Sequence, residues 1–176
     1  MRVLSIDVGL KNLGACMLEG APGGRPLVVH WDVFSVTDLN ANKARLEDLT
    51  PDLLEALRER FDDSYEADVV LIENQPMLKN GLIKTISVVI YTYFNMLKMQ
   101  FGNVKHVRFT SATNKLRTKR AGAAPASYKE RKDAAVALAR TYTADLFPER
   151  LSWFDSLKKK DDASDSLLYA LHHLGL

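Results

Sequence analysis

The chain has 176 residues, 47% of them hydrophobic, which is enough for one sizeable core and too little for two ordinary domains, so residues 1–176 are expected to form a single domain. A lone cysteine, Cys16, excludes a disulfide framework and a cysteine-rich zinc site, and it fits a reducing, intracellular setting. Strand-like sequence begins directly after Met1 and the longest apolar run is far short of a membrane span, so a soluble protein without leader or membrane partner is expected.

In chain order, strands are predicted near residues 2–8, 12–19 and 27–36, the first two joined at Gly9 and the next two by Gly20-Ala21-Pro22-Gly23-Gly24, an antiparallel meander. Thr50-Pro51 reads as the start of a helix, Thr50 as N-cap and Pro51 at the first helical position, burying Leu53, Leu54, Leu57 and Phe61. A strand follows over 68–73, then a long helix over 82–101, where Ile83, Ile86, Ile90, Tyr93, Phe94, Leu97 and Phe101 recur at helical spacing. Val89, Met96 and Met99 widen that apolar face, which suits burial on two sides, including against a second subunit, and equally suits a central core helix. Residues 104–109 read as a strand, 128–146 as a helix, and a last helix begins near Asp162.

Three separated segments place carboxylates where chemistry is possible. Asp7 closes the apolar run Val3-Leu4-Ser5-Ile6, and Glu73 closes Val69-Val70-Leu71-Ile72, both patterns of a buried strand. Asp162 and Asp165 are three apart at the first turn of the final helix, ahead of the apolar Leu167, Leu168 and Leu171. Taken alone, helix capping is the more ordinary account of those two aspartates. The element order is that of a ribonuclease H-like fold, an α/β sheet flanked by helices, in which the first and fourth strands are neighbours and the last helix reaches their ends. Four carboxylates in one cleft would repel, each pair at about 4 Å by on the order of 4 kcal/mol at an effective dielectric of ~20. A cation is therefore required, and oxygen-only ligands select a hard ion, Mg²⁺ or Mn²⁺. His172 and His173 fit no zinc spacing.

The net charge of +2 conceals an asymmetry. Between Lys98 and Lys132 lie ten Lys or Arg against one acid, Glu130, leaving fourteen basic against twenty-one acidic residues elsewhere. Lys115, Arg117, Lys119 and Arg120 fall in a loop bearing Gly, Ala and Pro, where flexible cations suit a polyanion such as nucleic acid, or simply a solvated face.

Ile6-Asp7-Val8-Gly9-Leu10-Lys11-Asn12-Leu13-Gly14, then Ile72-Glu73-Asn74-Gln75-Pro76 with Lys79-Asn80 and the long helix through Tyr93-Phe94, then Lys159-Lys160-Asp161-Asp162-Ala163-Ser164-Asp165-Ser166 together resemble the RuvC-type Holliday junction resolvases, most closely the poxvirus form. The resemblance touches nearly the whole chain. It implies a five-stranded mixed sheet, a homodimer formed through the helix around 82–101, and a magnesium-dependent endonuclease that makes paired nicks in four-way DNA junctions, acting in the host-cell cytoplasm or virion and using no small-molecule cofactor. It assigns catalysis and metal binding to Asp7, Glu73, Asp162 and Asp165, with Asp161 an adjacent competitor that the Asp-x-x-Asp spacing disfavours. By location it points to Lys115, Arg117, Lys119 and Arg120 as DNA contacts, and Lys11 and Lys79 are further candidates for backbone phosphates.

In such a site two ions about 4 Å apart bracket the scissile phosphate, with Asp7 the best shared ligand. Gly9 permits close backbone approach there, or serves as an ordinary turn glycine. RuvC-like ribosomal RNA processing nucleases share an opening like Asp7-Val8-Gly9-Leu10-Lys11 but lack Glu73-Asn74-Gln75-Pro76 before so long an apolar helix. A sugar kinase or actin-like ATPase needs two lobes, for which the chain is too short. A non-catalytic junction binder would have little reason to keep all four acids.

Overall fold

The computed structural model describes residues 1–38, 45–62, 65–76, 81–122 and 127–176; Lys79 and Asn80 lie outside them. Strands β1 (Arg2–Asp7), β2 (Leu13–Glu19) and β3 (Leu27–Phe34) form the antiparallel meander, and β4 (Ala67–Glu73) adds in parallel to the other side of β1, followed in parallel by β5 (Val104–Thr110). The order across the five-stranded mixed sheet is β3-β2-β1-β4-β5. Helices α1 (Leu46–Arg60), α2 (Gly81–Phe101), α3 (Tyr128–Leu146), α4 (Pro148–Ser156) and α5 (Asp161–His173) flank it, and a single turn of 3₁₀ helix spans Asn114–Leu116.

Period-two alternation divides each central strand between two cores. Leu4 and Ile6 of β1 and Val70 and Ile72 of β4 point toward α1 and α2, where Leu53, Leu57, Ile86, Ile90 and Phe94 meet them. Val3, Val69 and Leu71 point the other way, toward Ala135 and Ala139 of α3, Phe154 of α4 and Leu167, Leu168 and Leu171 of α5. Burying each Leu or Ile contributes roughly 1.5–3 kcal/mol, so two helical layers are needed to cover a central sheet that is apolar on both faces.

Two expectations are corrected. The helix expected to open at Thr50-Pro51 starts at Leu46, so Thr50 is no N-cap: its hydroxyl donates to the Leu46 carbonyl at 2.7 Å, and Pro51 lies inside the helix. Burial of Leu49 and the ion pair from Arg45 to Asp48 across the first turn hold the upstream start, although Pro51 removes one intrahelical donor. Leu49, Leu53, Ala56 and Leu57 form the buried stripe, and Leu54 faces outward. The second correction is α4, absent from the sequence reading. Pro148 at its N-terminus and the packing of Trp153 and Phe154 against Trp31 of β3 define it.

Candidate active site

The parallel pairing of β1 with β4 runs Val3↔Val69 to Ile6↔Ile72, which carries Asp7 and Glu73 side by side at the strands' C-terminal ends. Both project to the α5 face, on the same parity as Val3, Ser5, Val69 and Leu71. Their carboxyl groups share a hydrogen bond, and each residue is only 8% exposed.

The N-terminal half of α5 is docked beside this pair by contacts with the sheet. The Ser5 hydroxyl donates to the Ser166 carbonyl and lies within hydrogen-bond distance of the Cys16 carbonyl, the Trp31 indole N–H donates to the Ala163 carbonyl at 3.1 Å, and Gly14 lies beneath Asp162. Gly14 pairs with Asp7 across β1 and β2, so the glycine that admits the helix is the register partner of the strand acid. Asp165 is also 8% exposed and reaches the same cleft, where its charge acts on Asp7. Neither Asp162 nor Asp165 caps the helix; Lys160 occupies the N-cap position and its side chain makes no capping bond.

Crowding sets the electrostatics. The Asp7 carboxyl is held well above the ordinary carboxylate range by burial first, then by the hydrogen bond with Glu73 and the negative charges of Glu73, Asp165 and Asp162. Asp165 is pushed up to about 6 by burial, against the opposing pull of the Lys115 ammonium, which forms a short ion pair with it. Asp162 is raised by burial and carries the Lys159 ammonium at 2.7 Å. Asp161 differs: burial pushes it up, but the Lys132 ammonium of α3 at 2.6 Å holds it below its ordinary value. The adjacent competitor thus faces α3 and serves as a structural ion pair.

The chemistry of the donor set fits a hard divalent cation, because four carboxylates converge on one end of the sheet and their crowding disfavours ionisation of Asp7 unless a cation offsets it. Among the described residues, no three carboxylates stand close enough to ligate a single ion as arranged. Two ammonium groups, Lys115 on Asp165 and Lys159 on Asp162, supply the compensating charge.

The expected basic contacts divide. Lys115 reaches the acids directly. Arg117 is exposed, and its carbonyl meets the His172 ring nitrogen at 3.2 Å. Lys119 is exposed, and its backbone N–H donates to the Leu176 carbonyl at 2.8 Å. Arg120 is committed to the protein, pairing with Asp145 and lying over the Tyr142 ring. Lys11 donates to the Thr37 carbonyl at 2.6 Å. Lys79 is outside the described residues.

Three contributors escaped the sequence reading. Gln75 donates its amide N–H to Glu73 at 2.6 Å. Tyr169, one turn beyond Asp165, buries its hydroxyl beside Glu73, Asp165 and Asp7, and burial followed by their charges holds that phenol far above its ordinary value. Gly14 is the third. Its signal was present in principle, since a glycine inside a strand marks a close approach.

The fold and this arrangement define a ribonuclease H-like protein with an acidic cleft at the ends of its central parallel strands. The family model of the poxvirus A22 protein matches residues 1–175, and the chain belongs to that family. No curated protein sequence matches the chain significantly. Among solved structures, it is similar in fold to the fowlpox virus resolvase in complex with substrate Holliday junction DNA, with a TM-score of 0.69 at 18% identity over 99% of this chain and 97% of that one. The yeast mitochondrial Holliday junction resolvase gives 0.64 at 19% identity, covering 98% of this chain and 78% of that chain. RuvC of Thermus thermophilus, in complex with a Holliday junction substrate, gives 0.57 at 18% identity over 99% and 93%.

Proposed function

We propose that the chain is a structure-selective DNA endonuclease that resolves four-way junctions by paired nicks, with Asp7, Glu73, Asp162 and Asp165 as its catalytic and metal-binding acids. The observation that carries this is the buried Asp7 hydrogen-bonded to Glu73, with the charges of Asp165 and Asp162 acting on Asp7, a concentration of acid that a structural role does not require. Membership of the poxvirus A22 family and the fold shared with junction resolvases support the same reading.

Mg²⁺, or Mn²⁺ in its place, as two ions per site would supply Lewis-acid activation of water and charge stabilisation at the departing 3′-oxygen. The protein's part is positional. The paired strands hold Asp7 and Glu73 rigidly, Gln75 orients Glu73 through its amide, and the docked helix presents Asp162 and Asp165 from the opposite side. Ion binding requires the ionised form of Asp7, which burial and its acidic neighbours disfavour, and requires Lys115 and Lys159 to release their partners. Freed at the cleft edge, the Lys115 ammonium is placed to meet a substrate phosphate, and Arg117, Lys119, Lys11 and Lys79 extend the phosphate contacts.

Paired nicking needs two sites related by symmetry. A homodimer through α2 provides them: Val88, Met96 and Met99 are 44%, 51% and 85% exposed on the face opposite the buried Ile86, Ile90, Phe94 and Leu97.

The test is Asp162→Asn. It abolishes Mg²⁺-dependent junction cleavage, leaves junction binding in EDTA largely intact and does not lower the metal-free melting temperature, because it removes a charge from a crowded cluster. Retained cleavage would take Asp162 out of the site.

A further inference from the structure

We infer that the face of β5 turned toward α5 is a second nucleic-acid contact surface, which carries one duplex arm of the branched substrate away from the acids. The inference rests on the junction-nuclease reading and adds to it a surface outside the 115–120 loop. Parallel strands are ordinarily covered on both faces. On one face of β5, Val107 packs into the core and Phe109 stacks on Tyr91 of α2. By alternation His106, Arg108 and Thr110 project to the opposite face, and there His106 and Arg108 are exposed.

The chemistry of that strip points to one occupant. In the parallel register His106, Arg108 and Thr110 sit beside Val69, Leu71 and Glu73, so the row that begins at a site acid continues as exposed cationic or ionisable side chains. The wall alongside is the C-terminal end of α5. His173 lies two turns beyond Asp165 on the same helical stripe, within electrostatic reach of Arg108 and beside His172, and the His172 ring touches the Arg117 backbone. Outside the site itself, whose Glu73 ends the row, the nearest acid in the strands is Asp68, which projects to the other face and is engaged by Lys105 and the Arg2 backbone. A sheet face whose Arg108 pairs with no acid among the described residues, flanked by imidazoles and continuous with the acidic cleft, suits a sugar-phosphate backbone better than an apolar protein partner. Successive same-face residues on a strand are spaced by roughly 6.6–6.8 Å, so Arg108 and His106 offer donors in file along a strand of DNA.

The test uses the full chain with a fluorescent immobile four-way junction and a linear duplex as probes, by anisotropy in EDTA across a salt series. Arg108→Ala with His106→Ala weakens junction binding several-fold and lowers the slope of log K against log salt by about 0.9 for the lost Arg108 contact. Arg108→Lys restores the slope, and the cleavage rate at saturating junction with Mg²⁺ stays near that of the parent protein. Unchanged affinity and slope overturn the inference. So does a change in sedimentation without a change in binding, which would make the strip a protein interface. Failure of the parent protein to cleave any junction in Mg²⁺ would instead overturn the nuclease reading, a result that these binding curves do not produce.

Discussion

Gly14 and Asp162 are in van der Waals opposition: a Cβ added at Gly14 would lie 2.2 Å from the Asp162 carbonyl oxygen and 2.8 Å from its carbonyl carbon. Those atoms are helix backbone and cannot rotate aside, so the first turn of α5 reaches the sheet only because residue 14 lacks a side chain. The same residue pairs with Asp7. One absent methyl group therefore sets the separation between the strand acids and the helix acids.

Gly14→Ala is expected to push the start of α5 away from the sheet. Overpacking of this kind costs typically 1–3 kcal/mol, read as a fall in melting temperature. Cleavage should fall far more than junction binding, since the displacement misplaces Asp162 and Asp165. A variant with full activity and unchanged melting would show that the helix does not need this approach.

Metal-free stability should depend on pH in an unusual direction. Asp165 titrates at about 6 in the folded chain against an ordinary 3.8 because of burial, and Asp7 is raised in the same direction. The native state thus keeps protons that the unfolded chain has released. The stability Asp165 contributes is fully present below about pH 4 and is lost as pH rises through about 6, on the order of 3 kcal/mol, and Asp7 adds to it in the same direction. Asp68, held low by the hydrogen bond from Lys105, works in the opposite sense and weakens the fold only in stronger acid. In EDTA the melting temperature should be higher at pH 5 than at pH 8, and Mg²⁺ should restore stability at pH 8 by binding the ionised acids. Lys115→Met, which leaves Asp165 without its counter-ion, should be penalised at pH 8 and nearly neutral at pH 5. A flat profile in EDTA would show that the acids are not crowded in the folded chain.

Replacing Met96 and Met99 with glutamate tests the outer face of α2. Both side chains are exposed, so the fold should tolerate the change within about 0.5 kcal/mol. Sedimentation should then report a monomer that nicks junctions singly, without coupling between opposing strands. A dimer that persists with paired nicking would move the interface elsewhere.

Much of this molecule is legible in its residues, and the reasons are periodic. Alternation and apolar runs mark β1 and β4, helical spacing marks α2, and acids closing apolar strands mark Asp7 and Glu73. The start of α1 was not legible, because Thr50-Pro51 imitates a helix entry while burial of Leu49 draws the true start upstream. Helix α4 has a proline start but rests on tertiary contact with Trp31, which no local pattern predicts. Lys115 reads as a DNA contact of the basic loop and not as the partner of an acid, since Asp165 is fifty residues away. Arg120 belonged to the same run and proves to be a strut to Asp145. Charge composition shows that cations are present; geometry decides which are free.

The central claim is tested most directly by incubating the purified protein with an end-labelled immobile four-way junction and with matched linear duplex, in Mg²⁺ and in EDTA. Paired nicks confined to the junction, present with Mg²⁺ and absent with EDTA, are the predicted result. Tight junction binding without nicks in Mg²⁺ or Mn²⁺, or cleavage of single-stranded RNA instead of the junction, would contradict it.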